Sequence, residues 1–521
     1  MAKGGFNNAR FDSLVAAMLR PAFYPKAPIA LIHKETHISH LFLTDDLAYK
    51  IKKPVRFSFL DFSTLAKRRH YLQEELKLNR RLAPSVYLGV MPITFDRSGW
   101  RLGDGIEPVE YTLVMRRLPE NRMMPFLLET QQVTPSMMAD LAKLLAGFHR
   151  SAEIVRQIDG KIYVARIEAQ WNESLDELER YLPDAEERET FRGLKNFGRD
   201  FLAARGDLLA RRGQEGWVRD VHGDLHAEHI CFAPEGIQIF DCIEFDAKLR
   251  RCDLAAEIGF LSMDLRVRGG ETLVEPFLSC YCQQMNDGDL TKLLRFFECY
   301  RALVRAKVHT LRSGNWNEEA ARYIGFARRL TWDPMKPFIV IVCGLTGSGK
   351  STLARALAER IGLTLINSDV VRKRIAGTSG RALQPLNEGI YSATMTEKTY
   401  GTMAREAEEE IAKDKGVLLD ATFVRRAHRE KILRLADKRK VPLLLIHCTT
   451  PELVIKERLR RRTAEGKNVS DGDWDIYVAQ KVAAEPIEEI AADDRLELNT
   501  DSSLGELTRL CEAFLRSHWA H

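Results

Sequence analysis

The run Gly344-Leu345-Thr346-Gly347-Ser348-Gly349-Lys350-Ser351 follows an apolar stretch, Phe338 to Cys343, and precedes a helix-like stretch, Thr352 to Arg360. Its residue types suit phosphate. Glycines let several backbone N–H groups turn inward around phosphate oxygens, and the positive end of the following helix adds to their field. Lys350 can reach terminal phosphates, Ser351 can set its hydroxyl on Mg²⁺, and Thr352 opens the helix beside them. Downstream, a second apolar stretch ends in Asn367-Ser368-Asp369. Asp369 is placed to take a proton from an attacking hydroxyl, with capping of the next helix as the alternative role. Arg372, one turn on, shares its face and can hold a phosphate. Val417-Leu418-Leu419 leads into Asp420, the pattern of a magnesium-facing carboxylate carried by a buried strand. Arg458 and Arg462, in the basic run Lys456 to Arg462, can close over a transferring phosphate or simply face solvent.

A second constellation lies far upstream. His222-Gly223-Asp224-Leu225-His226-Ala227-Glu228-His229 precedes the short apolar strand pattern Ile237 to Phe240, which ends in Asp241. Two aspartates on neighbouring turns again suit phosphoryl transfer, one orienting a substrate hydroxyl and one binding Mg²⁺.

The elements that must carry these residues divide the chain near Thr331-Trp332-Asp333-Pro334-Met335-Lys336-Pro337, where two prolines disfavour a helix. The expected domains are 1–330 and 338–521, joined by a linker over 331–337. After it, apolar runs at Phe338 to Cys343, Leu363 to Ile366, Val417 to Leu419, Leu443 to Ile446 and Leu496 to Leu498 alternate with helical segments. That alternation predicts an α/β domain with a parallel sheet covered on both faces. Before the linker, strands are expected over Ile38 to Lys52, Val86 to Thr94 and Glu110 to Arg116, with a helix over Leu65 to Leu82. A mostly helical region follows this small sheet.

The carboxyl-terminal pieces resemble the small P-loop kinases that phosphorylate hydroxyls, notably polynucleotide 5′-hydroxyl kinases, chloramphenicol phosphotransferases and zeta-toxin-like kinases. The resemblance rests on GLTGSGKS, the D-x-x-R of Asp369 to Arg372, LLDATF and the arginine-rich lid, and it implies Asp369 as base. The HGDLH…FD arrangement is similar to that of the aminoglycoside phosphotransferase family, which implies a protein-kinase-like α+β fold. That resemblance makes Asp224 the catalytic base and Asp241 the metal ligand. It also gives Leu47-Ala48-Tyr49-Lys50 the texture of the strand bearing a phosphate-contacting lysine, with Lys52 on the same face as the alternative. Glu75 is favoured over Glu74 as the lysine's partner, because Leu78 and Leu82 set it beside an apolar stripe. Two departures stand out. His229 occupies a metal position where the family carries Asn, and imidazole is a poor ligand for Mg²⁺. No glycine-rich loop precedes Lys50; Thr36 to His40 takes its place. Over nearly its whole length the chain looks like bacterial fusions of these two modules, which implies a bifunctional ATP- and Mg²⁺-dependent phosphotransferase. The competing expectation is an ATP-driven regulatory switch whose amino half has become a ligand sensor.

The acceptor stays open between a small-molecule hydroxyl and a nucleic-acid 5′-end. With 78 basic against 73 acidic residues the net charge is only +5, too mild to mark a nucleic-acid binder by itself. Local basic clusters at Arg372 to Arg374, Arg425 to Lys431 and Arg458 to Arg462 could nonetheless form a phosphate-tracking groove. Nine scattered cysteines without paired CxxC elements exclude a zinc cage and argue against a disulfide framework. Met1 to Pro25 lacks the apolar core of a signal peptide, and no apolar run approaches the roughly 20 residues that span a bilayer. The expected compartment is the cytoplasm, with no membrane partner.

Overall fold

The computed structural model describes residues 8–57, 60–97, 99–103, 107–156, 159–377, 392–465 and 473–519. Two compact units emerge, Met1–Leu178 with Gly198–Tyr323, and Glu179–Phe197 with Ile324–His521. The segment 331–337, expected as a linker, lies inside the second unit and carries a 3-10 turn over Asp333–Met335.

The first unit opens on an antiparallel sheet of β1 (Ile32–Glu35), β2 (Ser39–Leu43), β3 (Leu47–Lys52), β4 (Tyr87–Asp96), β5 (Gly99–Leu102) and β6 (Pro108–Arg116), in the order β1-β2-β3-β6-β4-β5. The single strand expected over 38–52 is a hairpin instead. Thr44 breaks it, its hydroxyl donating to the Leu47 carbonyl at 2.9 Å and accepting from the Leu47 N–H at 3.2 Å, while the Asp45 carboxylate accepts from the Ile29 and Ala30 amides. Strand alternation then sorts β3. Tyr49 and Ile51 pack with Phe11, Leu14 and Met18 of the helix Asn8–Met18, whereas Ala48 joins Leu72, Val86 and Tyr87 on the other face. Lys50 and Lys52 share that second face with Ala48, toward the helix Leu65–Asn79, which starts at the cap Thr64. A buried pair fixes this helix to the sheet: Arg68 reaches Glu110 of β6 at 2.7 Å, and both side chains are fully buried. The rest of the unit is largely helical, with two short ribbons, β7 (Val218–Asp220) against β10 (Arg251–Asp253) and β8 (Ile230–Ala233) against β9 (Gly236–Ile239).

The second unit holds a parallel sheet of β11 (Ile339–Cys343), β12 (Thr364–Asn367), β13 (Val417–Asp420), β14 (Leu443–Thr449) and β15 (Arg495–Asn499), in the order β12-β13-β11-β14-β15. Each interior strand is buried on both faces. In β11, Ile339 and Ile341 face one apolar core while Val340 and Val342 face the other. The order reverses direction at β11, so the loop after it sits at the carboxyl-end crevice of the sheet, where α/β folds bind ligands. Register places Val342 and Asn367 on either side of Asp420, bringing three strand ends to that crevice.

Arg68→Met leaves Glu110 as a buried charge without its partner, and we expect the full chain to lose about 3–5 kcal/mol in denaturant unfolding of the first unit. Adding Glu110→Leu should restore most of that loss, since the pair is then replaced by apolar contacts.

Candidate active sites

In the first unit the question of which lysine is engaged resolves into both. Lys50 Nζ donates to Glu75 Oε1 at 2.7 Å and to Asp241 Oδ1 at 2.9 Å. Lys52, fully buried, donates to the other Glu75 oxygen at 2.7 Å and to Glu244. Burial by itself would lower the Lys50 pKa, but Asp241, Glu75 and Glu244 outweigh it and hold the ammonium well above its ordinary range. Burial pushes Glu75 upward in turn, and the two lysines bring it net below its usual value. Glu244 stays raised, because burial exceeds the pull of Lys52. The glutamate of the helix Leu65–Asn79 that meets both lysines is Glu75.

Asp241 follows the β8–β9 hairpin with its backbone in the left-handed region, φ 63°. Its N–H donates to the Tyr87 hydroxyl at 3.2 Å, and the next N–H, of Cys242, donates to Asn79 Oδ1 at 2.9 Å. The end of the lysine-partner helix thus clamps the metal-ligand candidate. Asp241 lies below the usual carboxylate range because Lys50 and His229 overcome its burial.

Asp224 sits in the loop between β7 and β8, one-third exposed. Its carboxylate lies 3.5 Å from His226 Nε2 and 3.7 Å from His229 Nδ1. Burial alone would raise its pKa, yet His226, His229 and Arg305 keep it ionised far below the ordinary value. The loop is built to hold that position. His222 Nε2 donates to the Phe240 carbonyl at 2.9 Å, so its Nδ1 is free to accept the Asp224 N–H at 3.3 Å. Gly223 has φ 85°, and a Cβ there would sit 3.1 Å from the Arg250 backbone. From the helix Leu254–Val267, the buried Glu257 accepts the N–H groups of His222 at 2.8 Å and Gly223 at 3.0 Å. Where a glycine-rich cover is absent, Thr36 and Ser39 close a tight turn through Thr36 N–H to Ser39 O at 2.9 Å and Ser39 N–H to Thr36 Oγ1 at 3.0 Å.

For a cation, the carboxylates Asp224 and Asp241 offer the oxygens that Mg²⁺ prefers, but His229 offers nitrogen between them, and that part of the donor set does not fit Mg²⁺.

In the second unit the loop Gly344 to Ser351 leaves β11 and enters the helix Lys350–Ile361. Gly344, at φ 144°, passes so close to β14 that a Cβ would lie 2.5 Å from the Cys448 carbonyl. The loop is pinned from outside: Gln480 accepts the Thr346 N–H at 2.8 Å, and the Thr500 hydroxyl donates to the Ser348 carbonyl at 2.6 Å. Arg458 donates to Thr500 Oγ1 at 3.0 Å and to the Thr500 carbonyl at 2.8 Å, beside Gly349. Leu345 and Gly347 pack against the helix Glu452–Glu465, while Thr352 is exposed at the first turn of its own helix. The side chain of Arg462 lies outside the described residues.

Asp420 is almost fully buried at the end of β13. Asn367 donates to its Oδ2 at 2.6 Å, the Ser351 hydroxyl lies nearby, and its Oδ1 finds no hydrogen-bond partner among the described residues. Burial raises its pKa, against the opposing charge of Lys350. An orphaned carboxylate oxygen beside a serine hydroxyl fits a hydrated Mg²⁺, which takes one or two protein oxygens and keeps several waters. Asn367 also caps the next helix, its Oδ1 accepting the Asp369 and Val370 amides at 3.0 Å. The cap is therefore Asn367 and not Asp369, whose carboxylate instead receives Arg372 at 3.1 Å. Opposite, Tyr400 accepts the Phe423 N–H at 3.2 Å and stacks on His428 at 3.9 Å between ring centres, and His428 Nε2 lies 2.8 Å from Glu397.

Much of the basic character expected to track a nucleic acid is consumed locally. Arg374 pairs with Glu406, Arg426 with Glu430, Arg429 with Glu489 and Lys431 with Glu397. Arg429 is moreover buried.

Comparison with known proteins places these two sites in context. The model of the phosphotransferase enzyme family matches residues 44–297, and that of an AAA domain matches residues 339–486. An uncharacterized protein of Mycobacterium tuberculosis is 30% identical over 459 residues, covering 85% of this chain and 90% of that protein. A probable gluconokinase of Schizosaccharomyces pombe is 26% identical over 145 residues, 27% of this chain and 72% of that protein. Among solved structures, a choline/ethanolamine kinase family protein from Mesorhizobium loti covers 61% of this chain and 93% of its own, at TM-score 0.39 and 16% identity. Among the described residues no helix is long and apolar enough to cross a membrane.

Burial pushes Glu257 up to about 7 from an ordinary 4.5, with Arg301 opposing. The folded chain then holds this proton up to about pH 7 while the unfolded chain releases it near 4.5, so folding takes up a proton in that window. Stability should fall as pH rises from 4.5 to 7, by roughly 1.4 kcal/mol per pH unit, and level off above. Glu257→Gln removes this contribution, so the difference between wild-type and variant denaturation midpoints should carry the slope.

Proposed function

Because this chain belongs to the family in which a phosphotransferase-enzyme domain is followed by an AAA-type P-loop domain, we propose that each unit transfers the γ-phosphate of ATP to a hydroxyl, the second unit to a small-molecule acceptor. One observation carries the reading. Each unit brings together a lysine and a carboxylate from distant parts of the chain, Lys50 with Asp241 and Lys350 with Asp420. Phosphoryl transfer is mostly positioning and charge stabilisation, and these are the groups it requires.

In the second unit, the backbone amides of Gly347, Gly349, Lys350 and Ser351 and the Lys350 ammonium hold the phosphates, the Thr346 amide being taken by Gln480. Ser351 and Asp420 would hold Mg²⁺, which when bound neutralises charge on the β- and γ-phosphate oxygens. Asp369, with Arg372 alongside, takes the acceptor hydroxyl's proton, and Arg458 fixes Thr500 and so the far wall of the loop. The local pairing of the basic clusters supports a small molecule over a nucleic-acid end, and the probable gluconokinase supports a polyhydroxy acid. In the first unit Asp224 takes the proton, Lys50 contacts phosphate, and Glu75 keeps Lys50 in place.

A second reading, the ATP-driven switch with a sensing amino-terminal unit, is favoured by the closed Thr36 to Ser39 turn.

The test follows labelled γ-phosphate from ATP, with Mg²⁺ and Mn²⁺ both present, into a panel of sugar acids, polyols, amino alcohols and 5′-hydroxyl oligonucleotides. We expect a labelled small molecule that disappears in Lys350→Ala, and a second labelled product reduced at least about 100-fold in Asp224→Asn. A labelled oligonucleotide would move the second acceptor to nucleic acid. Lys350-dependent hydrolysis with no labelled acceptor would establish the switch.

A further inference from the structure

His229 is held by a bond that settles its tautomer. Its Nδ1 lies 2.9 Å from the main-chain carbonyl of Asp224, an atom that can only accept, so Nδ1 carries the proton. In the neutral ring the lone pair is then on Nε2, and Nε2 faces Asp241 Oδ2 at 3.5 Å. Two electron-rich atoms confront each other across a gap too long for a hydrogen bond. An ion about 2.1 Å from each would span that gap at a near-tetrahedral angle.

The surroundings favour the same occupant. A ligating histidine typically donates its other N–H to a backbone carbonyl or carboxylate, as His229 does. Asp241 is turned toward it because Lys50 holds the opposite oxygen, Oδ1. Donor atoms of Asp224, His226 and His229 lie within 4.8 Å of one another, a group that adjoins the His229–Asp241 pair without including Asp241. Arg305 donates to His226 Nε2 at 3.3 Å, which leaves His229 and Asp241 as the opposed pair.

We propose that the cation of the first unit is a divalent transition-series ion of the Mn²⁺ or Zn²⁺ type, bound through His229 Nε2 and Asp241 Oδ2, and not Mg²⁺. Mg²⁺ demands oxygen ligands and dehydrates reluctantly, whereas imidazole suits ions of the transition series. Two protein donors leave room for nucleotide phosphates and water. The inference rests on reading this site as a cation-dependent kinase, but its test reads binding alone.

The test uses the full chain carrying Asp420→Asn, which weakens the second unit's cation site. Mn²⁺, Zn²⁺ and Mg²⁺ are titrated calorimetrically, and bound Mn²⁺ is examined by pulsed electron paramagnetic resonance for nitrogen hyperfine coupling. We expect imidazole nitrogen on the bound Mn²⁺, and Mn²⁺ or Zn²⁺ binding at least about 10-fold tighter than Mg²⁺. His229→Asn and His229→Gln should abolish the nitrogen signal and weaken Mn²⁺ by about 10-fold or more, with Mg²⁺ unchanged or tighter. Whichever of Mn²⁺ and Zn²⁺ binds tighter identifies the ion. Equal Mg²⁺ and Mn²⁺ affinities without nitrogen coupling would overturn the proposal, as would coupling that survives both variants. The nitrogen measurement on the parent chain stands even if a variant fails to fold. Nitrogen-ligated Mn²⁺ in a chain that transfers no phosphate would sink the kinase reading alone; transfer supported by Mg²⁺ without nitrogen coupling would sink the cation assignment alone.

Discussion

Two ammonium groups are taken out of water beside one sheet, and neither survives there without carboxylates around it. Lys50 and Lys52 share Glu75, one on each oxygen, while Asp241 and Glu244 complete the set. A buried charge left without its partner costs several kcal/mol, so these five groups must assemble together or not at all. Their assembly fixes the helix Leu65–Asn79 against β3 and draws the loop after β9 to the same place. Asn79 and Tyr87 then hold that loop by its backbone, and the Asp224 loop is set from behind by Glu257. The geometry of the first site is thus a consequence of neutralising two lysines.

The second unit solves a similar problem with backbone. Three strands of a parallel sheet end level with one another, and the loop Gly344 to Ser351 crosses their ends. Side chains from outside the loop, Gln480 and Thr500, take up two of its polar groups, and Arg458 holds Thr500 in turn. Among the described residues, buried oxygens without a hydrogen-bond partner remain here at Ser348 Oγ, in the loop, and at Asp420 Oδ1, at the end of β13. A buried polar atom left so in an otherwise paired site marks the place where a ligand completes the structure.

Legibility in the sequence tracked distance along the chain. The phosphate loop is contiguous and follows a strand, so eight residues declare themselves together. The parallel sheet and the small amino-terminal sheet were legible because their periodicities are regular, and the two kinase-like folds through the family resemblance that their local motifs carry. Glu244, Asn79, Tyr87 and Glu257 were not legible, since each meets the site only through packing. Asn79 reaches an amide 163 positions away. The choice between Lys50 and Lys52 was undecidable from alternation, which puts both on one face, and the structure engages both. The helix cap was misassignable because Asn367 and Asp369 are equally good capping types two residues apart. The long strand at 38–52 divides because Thr44 prefers its own backbone bonds to the ladder, a local competition that apolar patterning does not register.

Asp241 holds its backbone at φ 63°, a conformation that aspartate, asparagine and glycine tolerate and longer side chains resist. Inheritance at this position is therefore lopsided. Exchange for asparagine keeps the turn and erases the charge, so a lineage can silence the site without unfolding it. Exchange for glutamate keeps the charge but strains the turn, so the carboxylate's reach cannot drift. Descendants of this chain should divide into those that keep aspartate and those that have let the site fall quiet, with little ground between.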